Sequence, residues 1–212
     1  MDTARQVIGS GVDLSSVRLN PEIRYLRVTV SGRAALMALG YTENHPLGPI
    51  EVWYSAEREV LRFQNGRLVG AVGLTTEWRE ATLPAFPPWS ALATATSPFR
   101  WTRVRDLMPG YRYGIKDMLS LRVISDPARG ELRGLDPDSL TWFEERAELE
   151  PLARVSAFFD NSIAGDLALP AARYAVDLRL GQGTVVYGEQ CLSRTLCLTW
   201  QRWPAANTTD GK

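Results

Sequence analysis

The pair Asn65-Gly66, set between the runs EVLRFQ and RLVGAVGL, constrains this chain more than any other feature. A two-residue connection between antiparallel strands needs positive φ at both positions, and Asn-Gly is the pair that tolerates this best. The stretch predicts a β-hairpin with a type I′ turn. The twist of that turn matches the flanking strands, so it sets their register as well as their direction.

The same pattern recurs along the chain. RYLRVTVSG places Leu26, Val28 and Val30 at period two, with Arg27 and Thr29 between them, as in a half-buried strand. AALMALGY, IEVWYS, FRWTRVRDL, YRYGIKDMLSLRVIS and LTWFEERAEL read as further strands, with Gly114 a bulge site. RYAVDLRLGQGTVVYGEQCLSRTLCLTWQRW adds more around a second hairpin turn at Gly181-Gln182-Gly183. TENHPLGP and DPARGELRGLDPDS are loops by their Asn, Asp, Pro and Gly content. PAFPPWSALATATSPF is irregular and crosses the end of a sheet, while LARVSAFFDNSIAGDLALP fits neither period. No capped segment sustains helical spacing beyond about a dozen residues. The expected fold is all-β, an antiparallel meander of about ten to twelve strands forming a curled, barrel-like sheet or a sandwich. It occupies one domain over residues 22–205, between a mobile leader (1–21) and a disordered tail (206–212).

Charge narrows the function. Lys plus Arg and Asp plus Glu are 24 each, so no broad cationic face for nucleic acid is expected. No apolar run approaches the roughly 20 residues of a bilayer-spanning helix. The first residues lack a basic segment followed by an apolar core, so the protein is cytoplasmic or the chain starts after a removed export signal. Cys191 and Cys197 are the only cysteines. On one extended strand they would lie about 20 Å apart, beyond the roughly 7 Å that a disulfide spans, so free buried thiols are expected unless the chain turns at Ser193-Arg194. With one histidine and two cysteines, no metal site is expected. No motif calls for a cofactor.

Familiar catalytic arrangements are absent. Glycoside hydrolysis requires two carboxyls about 5–9.5 Å apart across a cleft. Glu144 and Glu145 are strand neighbours and point to opposite faces, while Asp136 and Asp138 stand in LDPDS, where Asp caps a turn. His45 lies in a polar loop with no nucleophile elbow to serve. RLGQGT sits between strands, where a phosphate loop would need a helix N-terminus. The aromatic residues are more suggestive. Trp53, Trp101, Trp142, Trp200 and Trp203 fall in or beside strands, where a β core is the ordinary use of Trp. Trp101, Arg103 and Arg105 share one strand face, and arginines are seldom buried unless paired. With Tyr111 and Tyr113 on the next stretch, they form the candidate surface for a glycan or a protein partner, aromatics stacking on sugar rings and Arg clamping hydroxyls or carboxylates.

Four stretches in this order carry a resemblance: YLRVTVSGRAALMALGY, GRLVGAVGL, WTRVRDLMPGYRYGIKDMLSLRVI and RYAVDLRLGQGTVVYGEQCL with its closing LTWQRW. Together they resemble the YjbF/GfcB family of small lipoproteins encoded with group-four capsule and exopolysaccharide secretion genes. The likeness covers most of residues 24–203. It implies an all-β protein of the periplasm or outer membrane, tethered by a lipidated cysteine and serving polysaccharide production or export. No Cys stands in the first 190 residues, so a lipid anchor would precede this sequence, or this member is soluble. The expected function is a non-enzymatic accessory role, binding glycan or a protein of the export machinery. The alternatives are a lipid or lipoprotein carrier with an apolar pocket in a curved sheet, and a carbohydrate-active enzyme.

Overall fold

The computed structural model describes residues 17–125, 132–149 and 167–205. The described residues form twelve strands: β1 (Tyr25–Val30), β2 (Arg33–Glu43), β3 (Ile50–Tyr54), β4 (Val60–Gln64), β5 (Arg67–Val72), β6 (Glu77–Thr82), β7 (Phe99–Met108), β8 (Arg112–Ile124), β9 (Thr141–Leu149), β10 (Ala172–Asp177), β11 (Thr184–Cys191) and β12 (Cys197–Trp203). Each pairs antiparallel with the next. β1 also pairs with β12, from Tyr25↔Trp203 to Val30↔Leu198, so the meander closes into a barrel. Closure removes the exposed edges that an open sheet would present. Most of the leader, the tail and most of LARVSAFFDNSIAGDLALP lie outside the described residues.

Local chemistry accounts for the turns. Asn65 and Gly66 have φ of 52° and 74°, as a type I′ turn requires. A Cβ on Gly66 would lie 2.4 Å from the Val185 side chain, so the turn packs directly on β11. Gly114 lies within a bulge: Arg105 pairs with Ile115 and Leu107 with Arg112, leaving β8 one residue longer than β7 over that interval. The Gly114 N–H donates to Asp106 Oδ1 at 2.8 Å.

Two local expectations change. Cys191 and Cys197 form a disulfide rather than free thiols. The segment is two strands, not one: Leu192 N–H donates to Leu196 O at 2.8 Å, and the cysteines face each other across the β11–β12 pair with Cα atoms 3.8 Å apart. The Pro-rich stretch after β6 also contains a short helix, α1 (Trp89–Ala93). Trp89 Nε1 donates to Asn65 O, and Ser90 N–H donates to Gln182 O. These two bonds tie the β6–β7 connection across one end of the barrel, to the β4–β5 and β10–β11 turns.

The barrel interior is filled. Trp53, Trp78, Phe143, Tyr174 and Trp200 are almost fully buried in one cluster, and Phe63 packs on Trp200 with ring centroids 4.9 Å apart. That is a packed core rather than an apolar lumen for lipid. The outer wall of β7–β9 carries exposed Arg100, Lys116, Arg122, Arg146 and Glu148. A bilayer-spanning barrel places an apolar band outside and polar groups within, the reverse of this arrangement. Part of the outer wall is covered by the β8–β9 connection. Trp142, Ala175 and Tyr187 form a second apolar cluster under Leu132, Leu135 and Leu140. The buried amide of Gln201 holds this connection, accepting from Arg133 N–H and donating to Arg133 O.

Candidate binding site

β7 alternates as its sequence predicts, but Trp101, Arg103 and Arg105 face inward. Trp101 is 9 % exposed, Arg103 2 % and Arg105 1 %. The correction has a physical cause in the neighbouring strands. Asp117 stands opposite Arg103 in the β7–β8 register, and Glu145 reaches the same region from β9. Arg103 Nε and Nη2 donate to Asp117 Oδ2 at 3.0 and 2.7 Å, and its Nη1 lies 3.5 Å from Glu145 Oε1. Arg105 forks onto both oxygens of Asp117 and donates to Leu167 O. Arg67, the first residue after the Asn-Gly turn, donates twice to Glu145 Oε2 at 3.0 and 2.7 Å. Paired in this way, arginines tolerate burial.

The arginines also lie against aromatic faces. The Arg67 guanidinium carbon is 4.5 Å from the Phe86 ring centroid and 4.4 Å from that of Trp101, and Arg103 lies 4.6 Å from Trp78. Burial lowers the pKa of Arg105, and the hydrogen bonds and charge of Asp117 oppose that shift. Burial raises the pKa of Tyr174, with the charge of Glu145 adding to it; the phenol lies between Glu145 and Gln190. Glu144, one residue from Glu145, points outward to Arg122 and Arg146, so the two glutamates do occupy opposite faces.

Tyr111 and Tyr113 lie away from this cluster. They stand at the β7–β8 turn and are 72 % and 63 % exposed. Tyr111 has φ of 52°, uncommon for a bulky residue. The structure therefore separates the five predicted residues into an interior trio and an exposed pair.

Sequence reading missed a groove of about 830 Å³ at the barrel end crossed by the β6–β7 connection. Phe63, Phe86 and Trp89 supply apolar lining, and Arg24, Glu51, Asp136, Asp177, Arg179 and Arg202 supply charge. Arg202 pairs with Glu51, which also meets Arg24. Arg179 pairs with Asp177 through two side-chain bonds, which hold the Asp177 carboxyl below its ordinary range against the upward push of burial. The Asp136 carboxylate accepts from Asp138 N–H, the turn-capping role expected of it. The groove is built from strand ends and connecting segments far apart in sequence. Its only sequence signal was the clustering of Gly and Pro that marked each segment as a turn.

A family model described as group 4 capsule polysaccharide lipoprotein gfcB, YjbF, matches residues 16–150. No curated protein matches the chain. Among solved structures, that of the hypothetical lipoprotein YmcC from Escherichia coli K12 is similar, with a TM-score of 0.57 at 16% identity over 85% of this chain and 83% of that one. At this identity the likeness is one of fold.

Proposed function

The chain belongs to the YjbF family of group 4 capsule polysaccharide lipoproteins, and from that premise we propose that it serves capsule or exopolysaccharide production at the cell envelope by holding polymer, without catalysis. The observation that carries this reading is the end groove. Its volume is that of a small-ligand site, and it combines aromatic rings with planar Arg, Asp and Glu side chains. Rings stack on the apolar faces of sugars, and planar forked groups take paired hydroxyls. The groove carboxylates are poor candidates for hydrolysis. Each is held by an arginine or a backbone N–H, and Asp177 is shifted down, away from what a general acid needs. The lipoprotein family supports a place in the periplasm or on the periplasmic face of the outer membrane.

The test is a tryptophan-fluorescence titration with polysaccharide purified from the source organism. Saturable quenching is expected, weakened several-fold by Arg179→Ala with the circular dichroism spectrum unchanged. A wild-type protein that gives no saturable response, or an Arg179→Ala variant that binds as wild type does, overturns the groove as the site.

The tip of the β7–β8 turn favours a second reading, a contact with a protein of the export machinery. Exposed Tyr111 and Tyr113 combine with unusual backbone geometry at Tyr111, a combination that recurs at functional surfaces. A photoreactive residue at position 111 should crosslink in cells to a capsule-export protein. Crosslinking that persists unchanged when Tyr113 is replaced by Ser assigns the contact to something other than this pair.

A further inference from the structure

The interior cluster carries an imbalance of charge and of hydrogen bonds that point to the same place. Arg67, Arg103 and Arg105 bring three positive charges, and Asp117 and Glu145 bring two negative ones, all within the barrel. Among the described residues that make this cluster, the sum is one positive charge in excess. An uncompensated charge in a low-dielectric interior is strongly unfavourable. Among the described residues, three buried donors in or beside it also lack a partner: Arg105 Nη1, and the pair Arg67 Nη1 and Trp101 Nε1. That pair belongs to one stack, because the Arg67 guanidinium carbon lies 4.4 Å from the Trp101 ring centroid. An unmade bond on a buried donor is more costly than an average bond is worth.

Phe86 links this stack to the groove. Its ring stands 4.5 Å from the Arg67 guanidinium and at 77° to Trp101, and it also lines the groove. Arg67 follows Gly66 in sequence, and Gly66 is a groove residue. Arg67 and Trp101 do not themselves line the groove, so a group entering from it reaches the guanidinium N–H and the indole N–H beside the excess charge only when the Phe86 ring moves aside.

We propose that Arg67 and Trp101 form an anion subsite behind Phe86 that accepts a single carboxylate, taking one bond from Arg67 Nη1 and one from Trp101 Nε1. A carboxylate fits because it is a planar acceptor with one negative charge, which balances the cluster. Its source on an extended polymer would be an acidic sugar, and that part rests on the groove reading above. The subsite itself rests on the charge and the unpartnered donors. The interior arginines thus set the chemical selectivity of a groove whose own charged pairs are balanced.

The experiment is calorimetric titration of the whole protein with sodium glucuronate, sodium acetate and glucose at fixed ionic strength, each with and without the purified polymer. Glucuronate and acetate are expected to bind at one site per chain and to compete with each other, while glucose leaves their binding unchanged. Trp101→Phe keeps a ring beside Arg67 and removes only the indole N–H, so it should weaken glucuronate about tenfold. Arg67→Gln should abolish the site, and Trp101→Phe keeps the test valid if that variant does not fold. The proposal is overturned if neither carboxylate binds, or if both bind equally to wild type and Trp101→Phe. Polymer binding without carboxylate binding would sink the subsite and leave the groove reading standing. Carboxylate binding without polymer binding would do the reverse, assigning a free small carboxylate as the ligand.

Discussion

Glu144 and Glu145 are neighbours on β9, each held by arginines, yet they teach opposite lessons about charge. Glu144 lies on the outer wall between Arg122 and Arg146, whose side chains are 54 % and 61 % exposed. Glu144's own side chain is 9 % exposed, but water reaches both arginines and salt screens them, so the arrangement contributes little to stability. Glu145 lies inside with Arg67 and Arg103, all three side chains 2 % exposed. There the partners have no water to fall back on, and each depends on the others being present. One step along a strand therefore changes the same residue type from an adjustable surface group to a structural requirement.

The sharpest way to break this comparison is Glu145→Ala. It leaves Arg67 and Arg103 without their shared carboxylate, and a loss of about 3–5 kcal/mol in urea unfolding is expected. A loss below about 1 kcal/mol would mean that the interior is wetter than its packing indicates. Arg105→Met comes next. Asp117 keeps Arg103, and one excess positive charge disappears, so the loss should be only about 1–2 kcal/mol even though three hydrogen bonds go. If removing Arg105 is as damaging as removing Glu145, the interior is not positively unbalanced.

Glu144→Ala should lose under about 1 kcal/mol, and about 1 M salt should erase most of that, since the screening length falls to about 3 Å. The smallest effect is its pH dependence. Burial pushes the Glu144 carboxyl upward, and hydrogen bonds from Arg122 and Arg146 more than reverse the shift, leaving it lowered. A group lowered on folding adds stability above its unfolded value of about 4.3 and loses it as pH falls through the folded value. The gap in urea midpoint between wild type and Glu144→Gln should be present at pH 7 and close as pH drops below about 4. A gap that widens in acid would contradict the outer-wall assignment.

Much of the fold is legible in the residues. The Asn-Gly turn, the alternation of β1 and β7, the bulge at Gly114 and the opposite faces of Glu144 and Glu145 follow from period two and turn chemistry, which are local. The disulfide was hidden because bridging depends on whether Ser193-Arg194 turns, and a short polar pair between apolar residues does not announce a hairpin as Asn-Gly does. Tyr111 and Tyr113, placed by the sequence in the candidate surface, stand exposed at the β7–β8 turn. The interior trio read as a surface because two arginines on one face look exposed unless their partners are known.

Those partners come from different strands, and that marks the boundary. The sequence by itself determined that the chain is a strand meander, that Trp101, Arg103 and Arg105 share a face, and which family the chain resembles. Only the tertiary structure decided which face turns inward. Alternation separates two faces without saying which is solvated, and the choice follows once β8 and β9 pair in turn beside β7 and bring Asp117 and Glu145 to the arginines. The groove has the same origin. Its walls are strand ends and connections scattered along the chain, and they meet because twelve strands of one meander close on themselves.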